Sequence, residues 1–252
     1  RAADAGSLEW RGLCGAAPFL GVGSEVRMTT QPVQPLWVEQ RSVALDQLPE
    51  LMLQAEASDS SNSLQWHWES DDAVQSLWVG NAAWAGAQRI DGLHQLPSLR
   101  GSAPLPPRSH SEVVGLLGPA AAEAWGDLMP ELCRLLQRRP HPGCSLACQQ
   151  LGAATRQVPV EATSFVHRNA EWKPWITAAW APGDISGQSR SLDWLDAVWQ
   201  ILQPVCTGVH LAQLHDHLPF HRRELEAAFG PWLPELRKLK QRLDPAGTLP
   251  SL

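Results

Sequence analysis

Phe229-Gly230-Pro231-Trp232-Leu233-Pro234-Glu235-Leu236-Arg237-Lys238-Leu239-Lys240-Gln241-Arg242-Leu243-Asp244-Pro245-Ala246-Gly247-Thr248-Leu249 reads as a helix with an abrupt stop. Leu233, Leu236, Leu239 and Leu243 recur at spacings of three and four, so one stripe is apolar. Arg237, Lys238, Lys240, Gln241 and Arg242 fall toward water. Asp244-Pro245 ends the helix because proline disfavours the helical region for the residue before it, and Gly247 permits a turn.

The rest of the chain is long enough to give that stripe a core. With 252 residues, 44% hydrophobic and 18% charged, it fits one large domain or two small ones. A net charge of −6 with scattered basic residues argues against a nucleic-acid or anionic-membrane partner, both of which need a clustered basic patch. No run reaches the roughly 20 apolar residues that span a bilayer, and the first residues lack a signal-peptide core, so a cytoplasmic location is expected. The five cysteines, Cys14, Cys133, Cys144, Cys148 and Cys206, are dispersed and odd in number, which favours reduced thiols. Thirteen Trp stand beside no Tyr, so chemistry that needs a phenol is excluded.

Moving inward from the C-terminus, Ser191 to Pro204 predicts an amphipathic helix and Ile176 to Trp180 a strand. Pro119 to Arg139 has helical spacing that Pro130 is expected to divide in two. Residues Leu96 to Pro107 read as a loop. Leu64 to Trp68 alternates like a strand, Leu77 to Ala82 should pair beside it through Ser70-Asp71-Asp72, and Asp59 to Ser63 reads as a turn. Asp46 is placed to cap a helix reaching about Ala57, and Gln31 to Gln40 reads as extended. Leu8 to Gly23 is glycine-rich and reads as loop and strand.

Four blocks of this chain resemble, in order, the FAD-linked oxidases of the berberine-bridge-enzyme type. At the C-terminus Phe229, Gly230, Leu236, Lys240 and Asp244-Pro245 match, whereas Trp232 stands where that family has Asn, Leu233 where it has an aromatic residue and Glu235 where it has Arg. Near the N-terminus Leu8, Trp10, Phe19 and Val22 fall in register with a family strand that closes the flavin-binding part, its glycine run here reduced to Cys14-Gly15-Ala16-Ala17. In the middle, Gly152-Ala153 and Ala162-Thr163-Ser164-Phe165-Val166-His167-Arg168 follow the family pattern. His210-Leu211-Ala212-Gln213 occupies the place of a Tyr-x-Asn-Tyr segment.

The resemblance implies an α+β fold, an antiparallel sheet covered by helices on one face, with a C-terminal helical segment. It implies a flavin-domain remnant over residues 1–32, a substrate-binding domain over 33–205 and a berberine-like segment over 206–252. It also implies FAD, a small-molecule substrate and a separate flavin-binding half, because the phosphate-binding part of the family is missing. By position, His210 and Gln213 would be catalytic, Gly15, Phe229, Gly230 and Trp232 would meet the cofactor, and His167 and Arg168 the substrate. Gln213 cannot serve as a base, because an amide has no useful proton equilibrium near neutral pH, whereas His210 can titrate.

Two other readings stay open. A degenerate relative would keep the fold as a non-catalytic binding or structural module. A His-rich metal-dependent hydrolase would use His217 and His221, four apart, but Pro219 between them breaks the geometry, and the region reads more simply as a solvated turn with no metal.

Overall fold

The computed structural model describes residues 6–58, 61–68, 72–99, 109–211 and 213–252. In chain order its elements are α1 (Leu8–Leu20), β1 (Leu36–Ala44), α2 (Leu48–Ala57), β2 (Asn62–Trp68), β3 (Ala73–Gly80), β4 (Gln88–Ile90), β5 (His110–Leu117), α3 (Ala122–Gln137), β6 (Ser145–Gln150), β7 (Trp172–Trp180), α4 (Ile185–Leu202), β8 (Gly208–His210), α5 (His221–Phe229) and α6 (Leu233–Leu243). The expected turns at Asp59–Ser63 and Ser70–Asp72 and the loop Leu96–Pro107 lie in part outside the described residues. No helix among the described residues is long and apolar enough to cross a membrane.

The chain forms two compact units. The larger comprises Pro32–Gly152 and Ala170–Thr207; the smaller gathers the segment up to Gln31, Ala153–Asn169 and Gly208–Leu252. The fold class is α+β.

The larger unit is built on antiparallel strands in the order β4-β1-β3-β2-β6-β7-β5. Alternation fixes the two faces, because paired residues lie on the same side of a sheet. Leu64, Trp66, Val74, Leu146, Cys148, Ile176 and Val114 are all fully buried on one of them. The helices α2, α3 and α4 cover this face. Trp66 meets Trp125 of α3, Gln150 donates to the Ala55 carbonyl of α2, and Trp194 of α4 donates to the Leu135 carbonyl of α3.

Two expectations are corrected here. Asp46 does not cap α2; it sits in a 3-10 turn, Leu45–Gln47, and the cap residue Gln47 makes no side-chain bond. Pro130 does not divide the helix, and α3 runs unbroken through it. Pro130 is exposed and the residue four before it is Gly126, also exposed, so the ring meets no side chain there and water can take the freed carbonyl. In addition, α4 begins six residues before the expected Ser191, at Ile185, where the Asp184 carboxylate accepts from Gly187 N–H at 2.7 Å.

In the smaller unit, Leu8–Leu20 is helical rather than a strand. Ser7 caps it through Trp10 N–H, and its chain breaks from helical angles at Cys14–Ala16. Gly12, Ala16, Phe19 and Leu20 are buried, and a Cβ at Gly12 would collide with Leu239 of α6, so glycine here permits helix contact and not a loop. In α6, Leu233, Leu236 and Leu239 are buried, while Leu243 is 41% exposed and lies outside the core.

Asp244 accounts for the stop. Its carboxylate accepts from Lys240 Nζ at 2.6 Å, Thr248 Oγ1 at 2.6 Å, and the backbone N–H groups of Thr248 and Leu249, each at 2.9 Å. Lys240 first, and these donors after it, hold the carboxyl well below the usual carboxylate range. A depressed carboxylate stabilises the fold above its unfolded pKa, about 3.9, and loses that contribution as pH falls toward the folded value. Asp244→Asn should therefore melt below wild type at pH 7, with the gap narrowing below about pH 4. Thermal melts from pH 7 to 2 check this, and a gap independent of pH would remove Asp244's charge from the account.

Candidate functional site

All eight residues singled out by sequence fall in the smaller unit. Gly15 and Gln213 line one cleft of about 350 Å3 with Leu13, Ala17, Pro18, Phe19, Leu211 and Leu214. Gly15 has φ +113° in the break of α1, and a Cβ there would stand 3.1 Å from the Phe165 backbone nitrogen, so only glycine suits both the angle and the approach. The cleft wall is thus apolar apart from the Gln213 amide and backbone.

Gln213 is held from behind. Its side-chain oxygen faces His215 Nε2 at 3.3 Å, and His215 Nδ1 donates to both Glu224 oxygens at 2.8 and 2.9 Å. The His215 and Glu224 side chains are 1% and 2% exposed, and Phe220 meets the imidazole edge-on at 5.3 Å. The expectation of a solvated histidine turn is corrected at His215. Its partner lies nine residues away across the start of α5, a pairing that no short motif signals. His217 remains exposed beside Asp216. Among the described residues no three metal-ligating side chains gather.

The remaining expected residues surround this arrangement through packing. Ser164 Oγ donates to the Arg11 carbonyl at 2.9 Å and accepts from Trp232 Nε1 at 2.9 Å, while the Arg11 guanidinium lies 3.8 Å from the Trp232 ring centroid. Phe229 is buried edge-on against Phe19 at 6.0 Å, and Gly230 takes φ +47° to cap α5. His167 Nε2 donates to the Ala227 carbonyl at 2.6 Å, and burial lowers its pKa. Arg168 donates to Thr163 Oγ1 and lies over the Phe165 ring. His210 is half-buried at the end of β8. The side chains of Phe229 and Trp232 therefore spend their faces and N–H on the unit's own core, and Gly15 is the one expected cofactor contact that lines the cleft.

Sequence reasoning missed a second constellation, on the face of the larger unit's sheet opposite the helices. The register aligns Gln65, Gln149 and Lys173 in one row and His67, Ala147 and Trp175 in the next, with Gln75 opposite His67. Residues so aligned have Cβ atoms about 4.5–5.5 Å apart. Gln65, His67, Gln75, Gln149, Lys173 and Trp175 are all half-buried. Burial lowers the Lys173 pKa, and no carboxylate pairs with it among the described residues. Period-two alternation in β2 was the available signal, but only the register brings these strands together.

The fold is that of the FAD-linked oxidases of the berberine-bridge-enzyme type. No family model matches the chain, and no curated protein does either. Among solved structures, chitooligosaccharide oxidase matches with a TM-score of 0.75 at 13% identity, covering 95% of this chain and 59% of its own. GilR, an oxidoreductase that catalyses the terminal step of gilvocarcin biosynthesis, matches at 0.65 and 13%, covering 88% and 57%. Berberine bridge enzyme from Eschscholzia californica matches at 0.58 and 14%, covering 86% and 54%. The chain thus spans somewhat more than half the length of each.

Proposed function

We propose that the chain supplies the substrate-binding half of an FAD-dependent oxidoreductase that oxidises an alcohol, sugar or related small molecule, with a separate flavin-binding half completing the enzyme. The observation that carries this reading is the sheet face opposite α2, α3 and α4, with its row of amides, Lys173 and Trp175, set on a fold shared with FAD-linked oxidases. FAD, when bound, supplies the hydride acceptor. Gly15 lines this cleft, where its missing side chain lets the Phe165 backbone approach, and Gln213 offers the one side-chain amide of that wall. Phe229 and Trp232 support the wall from the core.

Oxidising an alcohol also requires its hydroxyl proton to leave. Gln213 cannot accept it, and His210 is the titratable residue that remains from the pair expected here. The lack of a positioned base costs about 10²–10⁴-fold in rate. With a flavin-binding half supplied and oxygen excluded, sugars and alcohols should bleach the oxidised flavin slowly. Gln213→Tyr should speed the bleaching, and His210→Ala should abolish what remains. A brisk wild-type reaction indifferent to both changes would place the base elsewhere.

The rival reading, a non-catalytic binding module, is favoured by the closed bonding of Trp232 and the core position of Phe229. Flavin that stays oxidised across the whole panel while the sheet face still binds ligand would select it.

A further inference from the structure

The sheet face opposite α2, α3 and α4 has a charge with no counter-charge among the described residues. Lys173 lies half-buried in the middle of the sheet, flanked by Gln149 directly opposite on β6 and by Gln65 on β2 beyond it. No ion pair forms to its ammonium, and no side chain bonds to either amide, among the described residues. A half-buried cation that has lost part of its hydration is stabilised by an anion brought to it. Primary amides both donate and accept, as hydroxyl groups do, so a row of them suits a ligand bearing several hydroxyls. Trp175, one row along on the same face, offers an indole surface for the apolar side of such a ligand.

The number of cations narrows the anion. One lysine is a single point charge, without the arginine fork or the nest of backbone N–H groups that phosphate recognition uses. Alkaloid-like cations would meet Lys173 with the wrong sign. We propose that this face takes a polyhydroxylated small molecule carrying one carboxylate, with the Lys173 ammonium on the carboxylate, Gln65 and Gln149 on hydroxyls, and Trp175 against the apolar side. The assignment names the substrate class for the reading of the chain as a substrate-binding half, and it rests on that reading for the identity of this face as the substrate surface.

The test is binding to the full chain, without flavin or turnover, by calorimetric titration with D-glucuronate, D-glucose and acetate. D-glucuronate should bind at least about tenfold more tightly than either of the others, since it alone meets both the charge and the amides. Lys173→Met should bring D-glucuronate to the level of D-glucose while leaving D-glucose unchanged. Gln149→Leu should weaken both sugars and spare acetate, and Lys173→Arg should restore part of the preference for the acid. Equal affinity for D-glucuronate and D-glucose, an indifferent Lys173→Met, or no D-glucuronate binding at millimolar concentration would overturn the assignment. Flavin bleaching separates the two claims. A chain that binds the acid but reduces no flavin loses the oxidoreductase reading alone, and one that reduces flavin with neutral sugars and ignores the acid loses this inference alone.

Discussion

Trp66→Ala should destabilise the larger unit by about 3–5 kcal/mol, the range for truncating a large buried aromatic to alanine. Trp66 is fully buried at the centre of the helix-covered face, where its ring meets Trp125 at 5.9 Å and 89°. This edge-to-face arrangement sets the positive rim of one ring against the negative face of the other. Neither indole N–H finds an oxygen or nitrogen acceptor among the described residues, so burial and ring electrostatics hold the pair. Alanine would leave a cavity bounded by α3 and by Cys148, which is paired with Trp66 on β6. Trp66→Phe, which keeps an aromatic ring in the same place, should cost far less. Denaturant midpoints decide between these outcomes, and an unchanged midpoint for Trp66→Ala would put the pair outside the cooperative core.

Glu56→Ala should cost about 3 kcal/mol, by a different route. One carboxylate oxygen at the end of α2 accepts from Ala121 N–H at 2.8 Å, Ala122 N–H at 2.9 Å and Trp172 Nε1 at 2.6 Å. The first two are orphan donors at the start of α3, whose own cap residue, Ala121, has no side-chain acceptor to offer. The third belongs to a fully buried indole of β7. Hydrogen bonds to a charged group contribute about 1.5–3 kcal/mol each, and the half-buried site lets water recover part of the loss. Glu56→Gln keeps an oxygen acceptor without the charge and should lie between wild type and alanine. An alanine variant that melts with wild type would mean that water replaces the carboxylate at no cost.

These two residues show where the sequence was readable. Trp66 lies in Leu64-Gln65-Trp66-His67-Trp68, whose alternation marks strand and face together, and the Leu spacing with Asp244-Pro245 marks α6 and its end. In both cases the pattern that marks the element lies within a few residues. Glu56 carries no such mark, because the helix it caps begins some 65 positions later. Asp46 was the local candidate for a cap on α2, where no side-chain cap forms, while the start of α3 is served by the remote Glu56 carboxylate. The candidate site divides the same way. Gly15 and Gln213 could be found by position, but the His215–Glu224 support behind Gln213 depends on a fold of the chain between them. The row of Gln65, Gln149 and Lys173 depends on strand register, which no single strand records.

The three-way bonding of Ser164 has a consequence for the order of events during synthesis. Its hydroxyl joins Arg11 to Trp232, and the buried face of α1 closes against Phe229 and Leu239. At about 5–20 residues per second, roughly 10–40 s separate the appearance of Leu20 from that of α6 on the ribosome. Throughout that interval Phe19 and Leu20 have no native surface to cover them, whereas β1, β2 and β3 of the larger unit can already pair. The apolar face of α1 is thus buried only once α6 has emerged, and until then it stands uncovered, a natural target for a holding chaperone.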